Sequence, residues 1–164
     1  MRLRRLYILE KIHLNNGLSE NDIDLILDWT NSKDAEFLRQ FAGEKWSYPL
    51  TKKQIQNESG SIYSIFQDDK FVGMIQVISK ENDNAHIGRF LLNPNETGKG
   101  IGTTALKLFC KQLFDSDIEL KSITLNVREV NKAAQRCYAK CGFMVSKEFW
   151  ENGKVARMQM RLKR

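Results

Sequence analysis

With 164 residues, of which 41% are hydrophobic and 28% charged, the chain has room for one domain with a real core and too little for two comfortable ones. No apolar run approaches the ~18 residues of a bilayer-crossing helix, and the basic start Met1-Arg2-Leu3-Arg4-Arg5 leads only into the short run Leu6 to Leu9, so neither a transmembrane nor a signal segment is expected. The net charge of +6 sits at the ends: residues 1–11 hold four Lys/Arg against one Glu, residues 147–164 hold six against two, and 12–146 hold sixteen against seventeen acidic residues. This reads as solvated ends and guarded edge strands. A recognition helix, an aromatic-basic stripe and a zinc site are all missing, so no nucleic-acid partner is expected. Cys110, Cys137 and Cys141 show no metal-ligand spacing and read as reduced thiols used as small core residues, which predicts no metal and a cytoplasmic address.

In chain order, residues 3–9 are a possible first strand with poor alternation. Ser19-Glu20-Asn21-Asp22 is a capping signal for a helix over roughly 20–30, where Ile23, Ile26 and Leu27 recur at helical spacing. A short helix near 33–41 places Phe37, Leu38 and Phe41 on one side. Thr51-Lys52-Lys53-Gln54 is a capping box that opens a third helix. The period then changes. Ile62 to Phe66 and Phe71 to Val77 read as two strands around Asp68-Asp69-Lys70, and Ala85 to Asn93 as a third. Thr97 to Phe114 reads as an amphipathic helix with Lys107 and Lys111 opposite its apolar side. Ser122 to Arg128 alternates as a strand. Asn131 to Cys141 is a helix closed by Gly142, and Phe143 to Trp150 and Val155 to Leu162 flank the hairpin pair Asn152-Gly153. The order βααα–βββ–α–β–α–ββ implies an α/β (α+β) chain: a mixed sheet with helices on its faces, in one domain over 1–164.

The stretch that carries chemistry runs from Phe90 to Thr104: a strand, a loop with Gly98, Gly100 and Gly102, then a helix. The glycines let the backbone approach a bulky anion, and the helix start adds unpaired amides and its positive dipole end. Gly98-Lys99-Gly100-Ile101-Gly102 fits neither the dinucleotide fingerprint nor a Walker loop. Lys99 is positioned to add charge at the mouth.

Leu92-Asn93-Pro94 followed by Thr97-Gly98-Lys99-Gly100-Ile101-Gly102 resembles motif A of the GNAT acetyltransferases, V-x-P then Q/R-x-x-G-x-G/A, with Thr97 where the family usually has Gln or Arg. A second block, Asn131 to Phe143, looks like the family's N-x-x-A-x-x-x-Y-x-K-x-G-F. The resemblance covers roughly 60–164. In residues 1–59, Trp29, Phe37-Leu38, Trp46 to Thr51 and Gln54 are similar to the branch that includes ribosomal-protein N-acetyltransferases.

The resemblance implies a central mixed, mostly antiparallel twisted sheet of six to seven strands. It implies acetyl-CoA as cosubstrate, with the pantetheine arm along Phe90, Leu91 and Leu92. The loop from Thr97 through Gly98, Lys99, Gly100, Ile101 and Gly102 to Thr103 would take the pyrophosphate, with Thr97 capping the helix or donating its hydroxyl. Asn131 would contact the cofactor, and Tyr138 would contact it and act as general acid. The base is open among His86, which titrates in the useful range, and Glu44, Glu81 and Glu129. Trp29, Phe37, Phe41, Trp46 and Tyr48 are candidates for the acceptor wall. The reading is therefore direct acetyl transfer to a small-molecule or protein N-terminal amine, by a monomer or homodimer. A non-catalytic acyl-CoA sensor of the same fold is the alternative.

Overall fold

The computed structural model describes residues 11–58 and 60–164. The possible strand at 3–9 lies outside them. The chain runs β1 (Ile12–Asn16), α1 (Glu20–Asn31), α2 (Ala35–Ala42), α3 (Lys52–Gln56), β2 (Ser61–Gln67), β3 (Lys70–Glu81), β4 (Asn84–Leu92), a 3-10 turn (Pro94–Glu96), α4 (Ile101–Ser116), β5 (Ser122–Arg128), α5 (Lys132–Lys140), β6 (Met144–Glu151) and β7 (Lys154–Lys163). Among the described residues seven strands form one sheet in the order β1-β2-β3-β4-β5-β7-β6. Only β4 and β5 pair in parallel. No helix of the described residues is long and apolar enough to cross a membrane.

Local chemistry explains the elements. Ser19 and Asp22 close a reciprocal capping box on α1, and Thr51 and Gln54 close another on α3, so orphan amides at both starts are satisfied. Asp34 caps α2 by accepting from the Phe37 amide at 2.9 Å. Asn152 and Gly153 both take positive φ, 50° and 74°, as a two-residue turn between β6 and β7 demands. β1 had no signal of its own beyond Ile12 and Leu14. It exists because β2 offers it an edge, with Ile12 opposite Gln67.

The sheet divides two cores. On one face α4 and α5 cover Ile65, Val72, Ile87, Ile123, Leu125 and neighbours. On the other, α1, α2 and α3 bury Ile26, Trp29, Leu38, Trp46 and Leu50 against Phe71, Met74 and Leu91. Strand alternation decides which side chain goes where. In β5, Ile123, Leu125 and Val127 enter the first core, so Thr124, Asn126 and Arg128 turn to the face of α2.

A bulge in β4 redirects that alternation. Gln76 pairs with Gly88 and Met74 with Leu91, so Arg89 and Phe90 together oppose the single residue Ile75. Arg89 adopts φ 45°, a left-handed conformation that costs a non-glycine residue roughly 1–2 kcal/mol. Its side chain is turned into the second core. There its guanidinium donates to Glu58 at 2.8 Å and to Gln76 at 2.6 Å, and lies 4.4 Å from the centroid of the Trp46 ring. Glu58 also accepts from Trp46 and Gln76. Burial alone would raise the Glu58 carboxyl, but the Gln76 hydrogen bond and the Arg89 charge hold it below the usual carboxylate value. Both charged side chains are 5% exposed. Glu58→Ala therefore leaves a buried guanidinium without its counter-ion, and denaturant unfolding should show a loss of about 3–5 kcal/mol. A loss below about 1 kcal/mol would mean that water reaches Arg89 freely.

Candidate active site

The parallel pairing of β4 and β5 lasts only from Asn84–Ser122 to His86–Thr124. Beyond it the strands diverge, so the edge of β4 from Ile87 to Leu92 has no strand partner on the β5 side among the described residues. Unpaired backbone groups along such an edge are a template for an extended ligand. A cavity of about 1410 Å³ fills the wedge. It is lined on one face by the glycine loop and by Ala134, Cys137 and Tyr138, and on the other by Phe37, Phe41 and His86.

The glycine loop departs from the helix expected over Thr97–Phe114. Gly98 and Gly100 have φ 77° and 86°, which a helix cannot contain, so α4 begins only at Ile101. Gly100 is its N-cap and supplies no capping side chain. The first helical bond runs from the Thr104 amide to the Gly100 carbonyl, 3.1 Å. The amides of Ile101, Gly102 and Thr103 are thus left without helical partners. A Cβ on Gly98 or Gly100 would meet nothing within 4 Å, so the cradle is open. Gly102 is tight instead, its Cβ position being 3.1 Å from Leu92 and 3.8 Å from the Cys137 sulfur. These residues fit a pyrophosphate.

Several expected roles change. Thr97 does not cap the helix; its hydroxyl donates to the Pro94 carbonyl at 3.0 Å and closes the 3-10 turn. Ile101 is 1% exposed and belongs to the core, so only its backbone is on offer. Lys99 stands at the mouth, but Glu96 holds its ammonium at 2.9 Å and binds Lys70 as well. The Glu96 carboxyl sits below the ordinary value because Lys70 and then Lys99 donate to it. Asn131 lines the cavity, yet its side chain caps α5 by accepting from the Ala134 amide at 3.1 Å. Phe90, Leu91, Leu92 and Thr103 line the cavity.

Among the four candidate bases only His86 reaches the cavity. Glu81 is exposed at the end of β3, Glu44 is exposed outside the lining, and Glu129 is held by Lys132. His86 Nδ1 lies 3.0 Å from the Thr124 hydroxyl, which Asn84 also contacts at 3.0 Å, while Nε2 has only a long contact of 3.5 Å with Asn126. Burial, and next the Arg157 charge, lower its pKa from the ordinary 6.5. The imidazole is therefore neutral at pH 7 and able to accept a proton.

Tyr138 stands across the wedge on α5, its ring packed against the first core and 6.3 Å from Phe143. Its hydroxyl has no hydrogen-bond partner among the described residues. Burial, reinforced by Cys137 and Cys141, raises the phenol, so it keeps its proton. Of the aromatic candidates, Phe37 and Phe41 line the cavity. Trp29 instead stacks on Phe71 at 5.4 Å, Trp46 lies under Arg89, and the Tyr48 hydroxyl donates to the Asn31 and Lys33 carbonyls.

Only two of the three cysteines are plain core residues. Cys110 is buried and pushed up to about 12 by that burial, and Cys141 packs against the first core. Cys137 faces the cavity 3.6 Å from the Thr103 hydroxyl, and its thiol is lowered by the hydrogen bond from Cys141. Arg89, Arg128 and Arg157 also line the cavity. Nothing local in the sequence marks them, because the bulge and the strand pairing that bring them there involve distant segments.

A family model described as the acetyltransferase (GNAT) family matches residues 25–143. Streptothricin acetyltransferase of Escherichia coli is 31% identical over 87 residues, 53% of this chain. That alignment spans only about half, 49%, of the relative's own length. The acetyltransferase PseH of Campylobacter jejuni subsp. jejuni is 24% identical over 136 residues, covering 80% of this chain and 82% of that protein. Among solved structures, the ribosomal L7/L12 alpha-N-protein acetyltransferase RimL in complex with coenzyme A superposes with a TM-score of 0.73 at 16% identity, over 93% of this chain and 94% of that one. At that identity the likeness is one of fold.

Proposed function

The chain belongs to the GNAT acetyltransferase family, and from that membership we propose that it transfers the acetyl group of acetyl-CoA directly to a primary amine. The observation that carries the reading is the wedge between β4 and β5. It joins an open cradle of helix-start amides to a neutral imidazole on one face and an unpartnered, protonated phenol on the other.

The cosubstrate supplies the activated acetyl group. The amides of Ile101, Gly102 and Thr103 hold its pyrophosphate, and the free edge of β4 aligns its arm. His86, through Nε2 or a bridging water, accepts the proton that the attacking amine must lose. Tyr138 gives its proton to the departing thiolate. An amide on the free edge of β4 polarises the acyl carbonyl as negative charge grows on it. The acceptor is the amine of a small molecule or of a protein N-terminus.

Calorimetric titration with acetyl-CoA, followed by thiol release across a panel of amines and peptides, tests the reading. Micromolar binding together with release supports it. Binding without release on any acceptor would move the protein to the sensor reading, and no binding would refute the cradle. The pH profile at saturating substrates is a second test. Because the His86 pKa is lowered from 6.5, the base is mostly in its neutral form at pH 7 and is lost as pH falls through a value below 6.5. His86→Gln should remove that acid limb and slow transfer about 100-fold. A limb that survives in the variant would assign the proton to another group.

A further inference from the structure

The wall of the cavity that faces α2 is charged in one sense. Lys33, Arg39, Lys45, Arg89, Arg128 and Arg157 line it, and no Asp or Glu does. Two carboxylates stand behind it: Glu58, which serves Arg89 and Lys45, and Glu36, which serves Arg39 and Arg128.

The excess gathers at one place. Arg128 of β5 and Arg157 of β7 are direct partners in the antiparallel register. Their side chains therefore leave the same face of the sheet, where like charges repel and destabilise the pair. Glu36 of α2 reaches Arg128 and lies 3.3 Å from Arg39. Arg157 has no carboxylate partner among the described residues; its guanidinium rests 4.3 Å above the Phe149 ring. Two guanidiniums thus share the one carboxylate of Glu36, and a third, Arg157, stands beside Arg128 at the cavity wall without one, on the face that carries His86. The pyrophosphate cradle belongs to the opposite face, with α4 and α5, so the cosubstrate's phosphates do not account for them.

We propose that Arg39, Arg128 and Arg157 form a subsite for an anionic group, phosphate or carboxylate, carried by the acceptor. The amine that this enzyme acetylates then belongs to an anion and not to a polycation. The proposal rests on the acetyltransferase reading above. A guanidinium fork matches both carboxylate and phosphate oxygens in bidentate geometry. Such a ligand would give Arg157 the counter-charge it lacks and relieve its repulsion with Arg128. A polyamine at the same place would add cations to a wall that has no lining carboxylate to receive them.

The test compares thiol release from acetyl-CoA for matched amines: glucosamine against glucosamine 6-phosphate, glycinamide against glycine, and spermidine as the polycation. In at least one pair the anionic member should have a kcat/KM higher by about tenfold or more, the effect of one charge-assisted hydrogen bond. Which pair responds tells phosphate from carboxylate, and spermidine should be the poorest acceptor. Arg157→Gln and Arg157→Glu should erase the preference through KM while the calorimetric Kd for acetyl-CoA stays the same. If the parent protein fails to bind acetyl-CoA, the acetyltransferase reading falls and the subsite with it. If acetyl-CoA binds but neither pair favours its anionic member, or spermidine is preferred, the subsite alone is overturned. A preference that survives both Arg157 variants overturns it as well.

Discussion

Gly100→Glu is expected to abolish acetyl-CoA binding in a protein that remains folded. Gly100 takes φ 86° at the N-cap of α4, and a Cβ built on it meets nothing within 4 Å. The substitution therefore costs left-handed strain of roughly 1–2 kcal/mol and no clash. Part of that is offset, since a carboxylate at a helix start gains about 0.3–1 kcal/mol from the dipole. The same carboxylate occupies the space that a pyrophosphate needs and satisfies the amides of Ile101, Gly102 and Thr103 itself. Its like charge excludes the ligand. Calorimetry should show Kd raised at least about 100-fold, with the thermal midpoint shifted by only a few degrees. Gly100→Ala carries the same strain without the charge, so it should weaken binding by no more than about tenfold. Equal affinity in the two variants would mean that the pyrophosphate lies elsewhere.

Tyr138→Phe should slow transfer about 100-fold, the usual scale of a single positioned acid, without changing acetyl-CoA affinity. The hydroxyl bonds to nothing among the described residues, so its removal orphans no group, and the ring keeps its packing against the first core. Stability should therefore change by less than about 0.5 kcal/mol. Because burial raises the phenol, Tyr138 keeps its proton across the working pH range and is available as the acid when the thiolate departs. Single-turnover measurement separates this from binding. An unchanged rate would make Tyr138 a packing residue that wedges α5 against the sheet.

Local chemistry made much of this chain readable. Capping boxes at Ser19 and Thr51, alternation in Ser122–Arg128 and the pair Asn152-Gly153 act over a few residues, and each produced the element it announced. The glycine cradle was legible for the same reason, since Gly98, Gly100 and Gly102 act through their own backbone. Even there the helix start moved from Thr97 to Ile101. Positive φ at two glycines and the Thr97–Pro94 bond are properties of the folded turn, not of the helical period that runs on through it.

Roles that depend on partners were decided elsewhere. Asn131 and Lys99 carry the right chemistry for a ligand, but α5 engages the Asn131 Oδ1 and Glu96 the Lys99 ammonium. Choosing His86 over Glu44, Glu81 and Glu129 required knowing that β4 pairs with β5 for only three residues before the strands part. The bulge at Arg89 and the opposition of Arg128 to Arg157 come from register between segments far apart in the chain. By itself, then, the sequence determined the elements after β1, their order and the glycine turn, because those rest on near-neighbour backbone preferences. Tertiary structure decided which charges share the cavity, because a side chain's surroundings are set by whatever distant strand or helix the fold lays beside it.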